Sequence, residues 1–362
     1  MVKICGTGSA LPALRVTNDD LSNIMDTSDE WIKSRTGIGA RHLAVEETTT
    51  GMSVEAARQA LAQAGMEAWE LDLIIAATLS PDHVLPTLSC EVQAALGAQK
   101  AVAFDLHAAC SGFLFSMNTA AAYLNGGVYK NALIIGAETL SKMVDWRDRG
   151  TCVLFGDGAG AAVLRELPDE SGAGLKSFVQ YSDGTSGDVL ACGGRTLKHP
   201  FLLRESAGGD AALADRTDSL FVSDAGAKKE HCSAKPKMQA ELSPENMSYV
   251  TMNGQEVYKF AVSTVPKVIM EAVDKAGLTL SDIDHFVLHQ ANLRIIASVA
   301  KRLKQPLEKF PVNLQECGNI SAASVPILLD SLNKDGKIHK NQRIVLAGFG
   351  AGLTWAAAVI QW

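Results

Sequence analysis

Short apolar runs recur along the chain and are separated by longer stretches with helical spacing. Five of these runs contain few polar residues and are predicted to form buried β-strands. They span Leu73–Leu79, Ala101–Leu106, Ala132–Ala137, His285–His289 and Arg343–Gly348. The alternation of such strands with helix-like segments predicts largely parallel sheets covered by helices. The predicted fold class is therefore α/β.

The chain contains an internal repeat. Residues 60–75 match residues 272–287 at a constant offset of 212 positions, and both segments show a helix, a glycine stop, a loop and an apolar strand. The segments Gly156–Gly160 and Gly348–Gly352 also resemble each other. We therefore predict two pseudo-symmetric βα halves with layered, helix-covered sheets. Their predicted bounds are 1–170 and 253–362, joined by a connection and polar insertion at 171–252.

The alternation of apolar runs with helix-like stretches is absent from the sequence between about Ala191 and Met252. Glycine and charged residues are frequent there, as in Gly208–Asp210 and Lys228–Glu230. Such a segment has little core of its own, and two interpretations stay open. It is either a mobile surface excursion or a lid or dimer contact.

Composition limits the classes of partner. The chain has 362 residues, 47% of them hydrophobic, and a formal net charge of −7 from 33 basic and 40 acidic side chains. This balance argues against a nucleic-acid partner, although it allows a local basic patch. We expect no signal peptide, because Gly6, Gly8 and Pro12 interrupt the start of the chain, and no apolar run of membrane-spanning length follows.

The seven cysteines are odd in number and scattered, and no two of them form a C-x-x-C pair. Neither a disulfide framework nor a structural zinc site is indicated, so we expect a reduced, cytoplasmic protein. His285 lies four residues before His289, but both are on a predicted strand and no third ligand is evident. A metal site is therefore not expected.

Three polar motifs stand out in glycine-rich, apolar surroundings: Ala108–Gly112, His289–Asn292 and Gly318–Ala322. They supply one thiol, one imidazole and one carboxamide. A thiolate is a strong nucleophile, and the other two groups can donate hydrogen bonds to a developing oxyanion. Under the repeat offset, all three groups lie near strand ends, where sites in α/β folds usually form. A thiol, an imidazole and a carboxamide together are suited to acyl transfer through a thioester.

Each of these groups also has a simpler interpretation. Cys110 precedes a largely apolar stretch that ends at Gly126, so it is predicted at a helix start, where the helix dipole favours thiolate. Its small flanking residues favour a nucleophile over a packed core thiol. His289 is as compatible with a core histidine as with a catalytic one. Asn319 alone would be interpreted as a turn or helix-cap residue.

The chain resembles β-ketoacyl-acyl-carrier-protein synthase III, the initiating condensing enzyme of bacterial fatty acid synthesis in the thiolase-fold superfamily. The matching motifs are ordered, widely separated and cover nearly the whole chain outside the insertion. They are Thr27–Ile32, Arg35–Ile38, Asp148–Thr151, Phe155–Gly160, His289–Asn292, Gly318–Asn319 and Gly348–Gly350.

The resemblance implies a role for each motif. Cys110 would carry the acyl group, while His289 and Asn319 would hold the malonyl thioester carbonyl during decarboxylation. The oxyanion loop would comprise Phe349, Gly350 and Ala351, with Ala351 standing where many members have glycine. The coenzyme A entrance would be formed by Trp31, Arg35 and Arg149, because an aromatic face and guanidinium groups suit adenine and phosphate.

The resemblance also implies partners. Acyl-CoA and malonyl-acyl carrier protein would be substrates, the enzyme would be a homodimer, and no metal or redox cofactor would be required. Leu85 stands where many members have a bulkier aromatic that limits the acyl pocket across the dimer. On the helix-like stretch Asn292–Leu303, a basic face would dock the carrier protein; its residues are Arg294, Lys301 and Arg302.

The expected function is therefore transfer of an acyl group from acyl-CoA to Cys110, followed by decarboxylative condensation with malonyl-carrier protein. Three alternatives stay open. One is a related condensing enzyme of secondary metabolism, and another is a non-catalytic paralogue that binds the carrier protein. The third is simple thioester hydrolysis, which needs water at the acyl-enzyme.

Overall fold

The computed structural model describes residues 1–168, 172–194 and 249–362. The predicted polar segment, with Gly208–Asp210 and Lys228–Glu230, therefore lies largely outside the described residues. At its two ends, β9 and β10 form a short antiparallel pair. β9 spans Leu190–Ala191, and β10 spans Thr251–Met252.

The first large sheet has five strands in the order β1-β7-β6-β4-β5. These strands are β1 (Val2–Ala10), β4 (Leu73–Ala77), β5 (Val102–Leu106), β6 (Asn131–Thr139) and β7 (Asp157–Glu166). The pairs β6–β4 and β4–β5 are parallel, whereas β1–β7 and β7–β6 are antiparallel. A separate hairpin pairs β2 (Leu14–Thr17) with β3 (Ala40–Leu43).

The second large sheet has four strands in the order β11-β12-β13-β8. These are β8 (Gly174–Ser182), β11 (His285–Leu288), β12 (Arg343–Gly350) and β13 (Thr354–Gln361). Only β11–β12 is parallel. The prediction of largely parallel sheets is therefore wrong: in each sheet, strands outside the predicted apolar runs add antiparallel pairs. The five predicted strands themselves are confirmed to within about two residues.

The helices begin and end at residues suited to those positions. They are α1 (Asn18–Ser22), α2 (Asp29–Thr36), α3 (Thr49–Ala64), α4 (Leu88–Leu96), α5 (Gly112–Asn125), α6 (Gly254–Lys275), α7 (Leu293–Leu303), α8 (Leu314–Cys317) and α9 (Ser324–Lys334). The Thr48 and Thr87 side chains accept hydrogen bonds from the first turns of α3 and α4, and Gly65 and Gly97 end those helices in the left-handed conformation. None of the helices in the described ranges combines the length and the apolar character needed to cross a bilayer.

The structure repeats at the offset found in the sequence. β4 begins at Leu73 and β11 at His285, while β6 begins at Asn131 and β12 at Arg343, so each pair is 212 positions apart. The starts of α5, Gly112, and α9, Ser324, are separated by the same number. The pseudo-symmetric βα repeat is thus confirmed in these elements.

Helices α5 and α9 lie between the two large sheets. Each contacts strands of both sheets, α5 through β6 and β12 and α9 through β7 and β11. Helix α3 covers the other side of the first sheet, and α6 covers the other side of the second. Their buried faces are mainly alanine, valine and leucine, which allows close approach of helix to sheet. This layering brings the start of α5 and the start of α9 together in the buried interior.

Candidate active site

Cys110 lies in a one-turn 3-10 segment, Ala109–Ser111, that connects β5 to α5. Its side chain is buried, with 7% of the residue exposed. Thr354 fastens this turn, because its Oγ1 donates to the Ala108 carbonyl at 3.2 Å while its own carbonyl accepts from Ser111 Oγ at 3.1 Å. The predicted location of Cys110 just before a helix is confirmed.

The end of β12 passes directly over Cys110. A Cβ on Gly350 would lie 2.9 Å from the Cys110 backbone nitrogen and 3.1 Å from its Sγ. A side chain would therefore displace Cys110, so glycine is required by this close approach. The predicted oxyanion loop residues Phe349 and Gly350 thus lie beside the thiol.

His289 follows β11, and its backbone N–H donates a hydrogen bond to the Ala347 carbonyl of β12 at 2.8 Å. The imidazole packs edge-on against Phe349 with ring centroids 5.2 Å apart, so His289 and Cys110 flank the same end of β12. Only 1% of His289 is exposed, and burial lowers its pKa to about 3. Its Nδ1 is buried without a hydrogen-bond partner among the described residues. The ring is therefore neutral at working pH and can act as a hydrogen-bonding group without charge.

Asn319 is held by backbone pairing to a neighbouring loop. Its N–H donates to the Leu154 carbonyl at 2.9 Å, and its own carbonyl accepts from Gly156 N at 3.0 Å. Its side-chain Oδ1 accepts from the Ser321 N–H at 2.9 Å. Because the oxygen is occupied, the amide nitrogen is the group left to donate to a ligand.

Burial dominates the electrostatics of the nucleophile. It raises the pKa of the Cys110 thiol to about 12, the Ser321 hydroxyl lowers it in part, and the Glu138 charge raises it further. The backbone hydrogen bond of Cys110 lowers the pKa, which is the direction expected at a helix start, but loss of hydration outweighs it in the resting structure.

Two further polar groups at this centre were missed by the sequence analysis. Glu138, near the end of β6, is fully buried, and so is Ser321 in the Ser321–Ala323 turn before α9. Ser321 occupies the same place in the second repeat as Ala109 in the first, with φ of 43° and 45° respectively. The offset of 212 positions relates Ala109 to Ser321 and Glu138 to Gly350, so the internal repeat could have identified both residues.

The predicted coenzyme A residues come together at the surface. Arg35 and Arg149 stack on Trp31, with their guanidinium carbons 4.4 Å and 5.0 Å from the indole centroid. Arg149 also donates to the Asp26 carbonyl at 2.7 Å. The two exposed cations and one aromatic face therefore form a patch with the composition that was predicted.

The remaining predicted residues lie at different exposures. Leu85 is 81% exposed on the loop between β4 and α4, so it is not packed into the buried site of its own chain. Ala351 is partly buried in the turn after β12. On α7, Asn292 caps the first turn, and three basic residues are exposed: Arg294, Lys301 and Arg302. Within the described part of the chain, no three His, Cys, Asp or Glu side chains group as metal ligands.

Comparison with known proteins identifies the family. Residues 104–184 match the family model of 3-oxoacyl-[acyl-carrier-protein] synthase III, and residues 273–362 match its C-terminal model. A β-ketoacyl-[acyl-carrier-protein] synthase III from Clostridium acetobutylicum is 43% identical over 361 residues, which cover 100% of this chain and 98% of the relative. The chain belongs to the β-ketoacyl-acyl-carrier-protein synthase III family.

Solved structures agree with this membership. The 3-oxoacyl-[acyl-carrier-protein] synthase III from Aquifex aeolicus superposes with a TM-score of 0.83 at 39% identity, covering 100% of both chains. The priming β-ketosynthase from the R1128 polyketide biosynthetic pathway superposes with a TM-score of 0.82 at 32% identity, covering 100% of this chain and 96% of that one. The thiolase-like fold is thus confirmed. Like other synthase III enzymes, the chain is an acyltransferase, a condensing enzyme that initiates fatty acid synthesis.

Proposed function

We propose that Cys110 is the acylated nucleophile and that acyl-CoA and malonyl-acyl carrier protein are the two substrates. One observation supports this proposal above all: a thiol, a neutral imidazole and an oriented carboxamide lie around the end of β12. Cys110 lies against Gly350, His289 packs on Phe349, and Asn319 joins them through Ser321. These groups belong to both repeats, so the site requires the whole fold.

In the first half-reaction, the Cys110 sulfur attacks the acyl-CoA carbonyl. The backbone N–H groups of Cys110 and of the Phe349–Gly352 loop are suited to hold the oxyanion, because the loop lies within contact distance of the nucleophile. The Trp31, Arg35 and Arg149 patch would hold adenine and phosphate groups of coenzyme A. No cofactor enters this scheme, since acyl-CoA is consumed as a substrate.

In the second half-reaction, His289 and Asn319 hold the malonyl thioester carbonyl. Loss of CO₂ leaves an enolate whose oxygen needs hydrogen-bond donors. The pKa of His289, lowered to about 3 by burial, keeps the imidazole neutral, and the Asn319 amide nitrogen is free to donate. The enolate carbon then attacks the acyl group on Cys110, and the thiol is released.

Assembly and location are parts of the same proposal. Among the described residues, edge strand β5 exposes Val102, and the loop between β4 and α4 exposes Val84 and Leu85. A second copy of the chain would cover both, as expected for a homodimer. Cys5, Cys90, Cys152 and Cys317 are free thiols, which suits the reducing cytoplasm. The division into halves 1–170 and 253–362 stays a proposal as well, and β8 within 171–252 adds a strand to the second sheet.

The nucleophile is tested by intact-protein mass spectrometry after incubation with a panel of acyl-CoAs from acetyl to octanoyl. We expect a single acyl adduct on the wild type and none on Cys110→Ser. Cys317→Ser is the matched control, because Cys317 is also a buried free thiol, and it should keep the adduct. A stoichiometric adduct on folded Cys110→Ser would contradict the assignment.

A further inference from the structure

Glu138 is a fully buried carboxyl group that the reaction scheme above does not use. Its Oε2 accepts hydrogen bonds from Ser80 Oγ at 2.6 Å and from Leu79 N at 3.0 Å. Ser80 Oγ in turn accepts from the Thr139 N–H at 2.8 Å, which fixes it in place. Within the described residues, no cation pairs with this carboxyl. A buried carboxyl without a cation costs stability, so its presence next to an active site requires an explanation.

The other oxygen of Glu138 faces an incomplete hydrogen-bond network. Glu138 Oε1 and Ser321 Oγ are both buried, and neither has a hydrogen-bond partner among the described residues. The turn that carries Ser321 lies on β6, because a Cβ on Gly136 would overlap the Ala322 carbonyl. The same turn packs against the Ala109–Ser111 turn that carries Cys110. The turn that carries Ser321 therefore lies between β6, which carries Glu138, and the turn that carries Cys110.

The pKa values indicate which of these groups is suited to accept a proton. The Ser321 hydroxyl lowers the pKa of both Cys110 and Glu138, so it lies close to both groups, although it forms a hydrogen bond with neither in the resting structure. Burial raises the pKa of Glu138 to about 7, whereas burial lowers that of His289 to about 3. An acceptor with a pKa near the working pH is suited to take a proton, and a buried imidazole that resists protonation is not.

The charges around Glu138 are few in the described part of the chain. Cys110, on the turn before α5, is the titratable group whose charge interacts with that of Glu138. The groups that contact the carboxyl from the β4–α4 loop and from the turn before α9 are neutral donors: Thr78, Leu79, Ser80, Ser321 and Ala322. These donors stabilise the ionised carboxylate, which is the form that can accept a proton.

We propose that Glu138 accepts the Cys110 thiol proton through the Ser321 hydroxyl during acyl transfer and returns it when the acyl group leaves. This rests on the proposed role of Cys110 as nucleophile. The thiol S–H bond breaks, Ser321 Oγ takes that proton, and the Ser321 O–H proton passes to Glu138. The sulfur electron pair forms the bond to the acyl carbon, and the coenzyme A sulfur leaves with its own electron pair and is protonated by water.

The second half-reaction reverses the transfer. The enolate carbon forms the new C–C bond, the bond between the acyl carbon and Cys110 breaks, and the sulfur keeps the electron pair. The proton returns from Glu138 through Ser321 to the sulfur. Over one cycle Glu138 is unchanged, CO₂ leaves from malonate, and a single proton is consumed from water.

The internal repeat supplies the variants for a test. Ala109, at the position equivalent to Ser321, adopts nearly the same φ, so Ser321→Ala suits the backbone of this turn. Glu138→Gln keeps the size of the side chain and an oxygen for Ser80 and Leu79. Ser116→Ala is the matched control, because Ser116 Oγ on α5 is also buried without a partner but, unlike Ser321, does not affect the pKa of Cys110 or Glu138.

Acylation rates are measured by rapid quench and intact mass spectrometry without malonyl-carrier protein. The probe is the acyl-CoA that acylates the wild type fastest in the acetyl-to-octanoyl panel. We expect Glu138→Gln and Ser321→Ala each to slow acylation about 10²-fold, since positioned proton transfer typically contributes that much or more. The double variant should be no slower than the slower single variant, and Ser116→Ala should match the wild type. Wild-type acylation by folded Glu138→Gln would overturn the proposal.

Infrared difference spectra separate proton transfer from a structural role. Time-resolved spectra are recorded during acylation, from the moment of mixing with acyl-CoA, at about pH 8.5, where a carboxyl with a pKa of about 7 begins ionised and any protonated form is transient. The wild type should gain the C=O band of a protonated carboxyl, and Glu138→Gln should not. If Glu138→Gln fails to fold, the wild-type band and the Ser321→Ala rate carry the test. Absence of the band during wild-type acylation overturns the relay, whereas absence of any Cys110 adduct overturns the proposed nucleophile instead.

Discussion

Removal from water sets the protonation state of the side chains at the candidate site. It raises the pKa of Cys110 to about 12 and of Glu138 to about 7, and it lowers that of His289 to about 3. All three shifts favour the neutral form, as expected in a low-dielectric interior. The thiol and the imidazole are therefore uncharged at rest, and the backbone N–H groups, the imidazole and the carboxamide can stabilise the charge that develops during the proposed reaction.

Asn319 offers a prediction at the residue scale. Because its Oδ1 accepts from Ser321 N, its amide nitrogen is assigned to the malonyl carbonyl and not to the acyl-CoA carbonyl. Asn319→Ala should leave Cys110 acylation nearly unchanged and slow condensation about 10²- to 10³-fold, the usual loss for one oxyanion donor. The two half-reactions are measured separately, by mass spectrometry and by release of labelled CO₂. Equal losses in both would contradict this division of roles.

Side-chain chemistry made some of these residues predictable and left others hidden. Cys110 could be proposed as the nucleophile from the sequence because small residues flank it on both sides. Glu138 resembles an ordinary acidic residue at the end of a strand, and Ser321 resembles a residue in a turn. Their role depends on two turns from different halves meeting over β6, and local sequence does not encode that contact.

At the scale of elements, apolar runs identified the strands that are buried on both faces, β4, β6 and β12 among them. They did not identify β7 and β13, whose sequences are rich in glycine and alanine. Alanine has low strand propensity, so these segments become strands because they pair with β6 and β12. For that reason the sequence did not predict the antiparallel pairs. It also did not predict that both sheets combine parallel and antiparallel strands.

Helix α7 carries a prediction at this scale. Arg294 and Lys301 are seven residues apart on α7, two helical turns, so they project from the same side, and both are exposed. An acidic carrier protein should be attracted to this face although the whole chain is acidic. The double variant Arg294→Glu, Lys301→Glu should raise the KM for malonyl-carrier protein and weaken its salt dependence, while acylation by acyl-CoA changes little.

A matched control variant changes the net charge by the same amount on a different surface of the protein. Lys130 and Lys340 are exposed and precede β6 and β12, so they lie at the strand ends opposite to Cys110. Reversal of both charges should leave the KM for malonyl-carrier protein near the wild-type value. If both double variants behave alike at low salt, α7 is not the docking surface.

At the scale of the whole molecule, the single chain leaves apolar groups uncovered. Strand β5 is an edge strand with Val102 exposed, and the loop between β4 and α4 exposes Val84 and Leu85. Edge strands with apolar side chains pair readily with another chain. In the proposed homodimer, Leu85 would enter the partner's acyl pocket, so the pocket would be completed only by assembly.

Leu85→Phe should therefore change the preferred primer and leave the chemistry intact. A larger side chain at this position reduces the pocket, so acylation should shift from longer acyl-CoAs toward acetyl-CoA across the panel, with the dimer retained in sedimentation experiments. Loss of one or two methylenes of pocket depth changes discrimination by about 1–3 kcal/mol, or 10- to 200-fold. Val45→Phe is the control, since Val45 is a similarly exposed apolar residue in the loop after β3. An unchanged chain-length profile in Leu85→Phe, or a monomeric wild type, would show that this loop does not line the pocket of a partner.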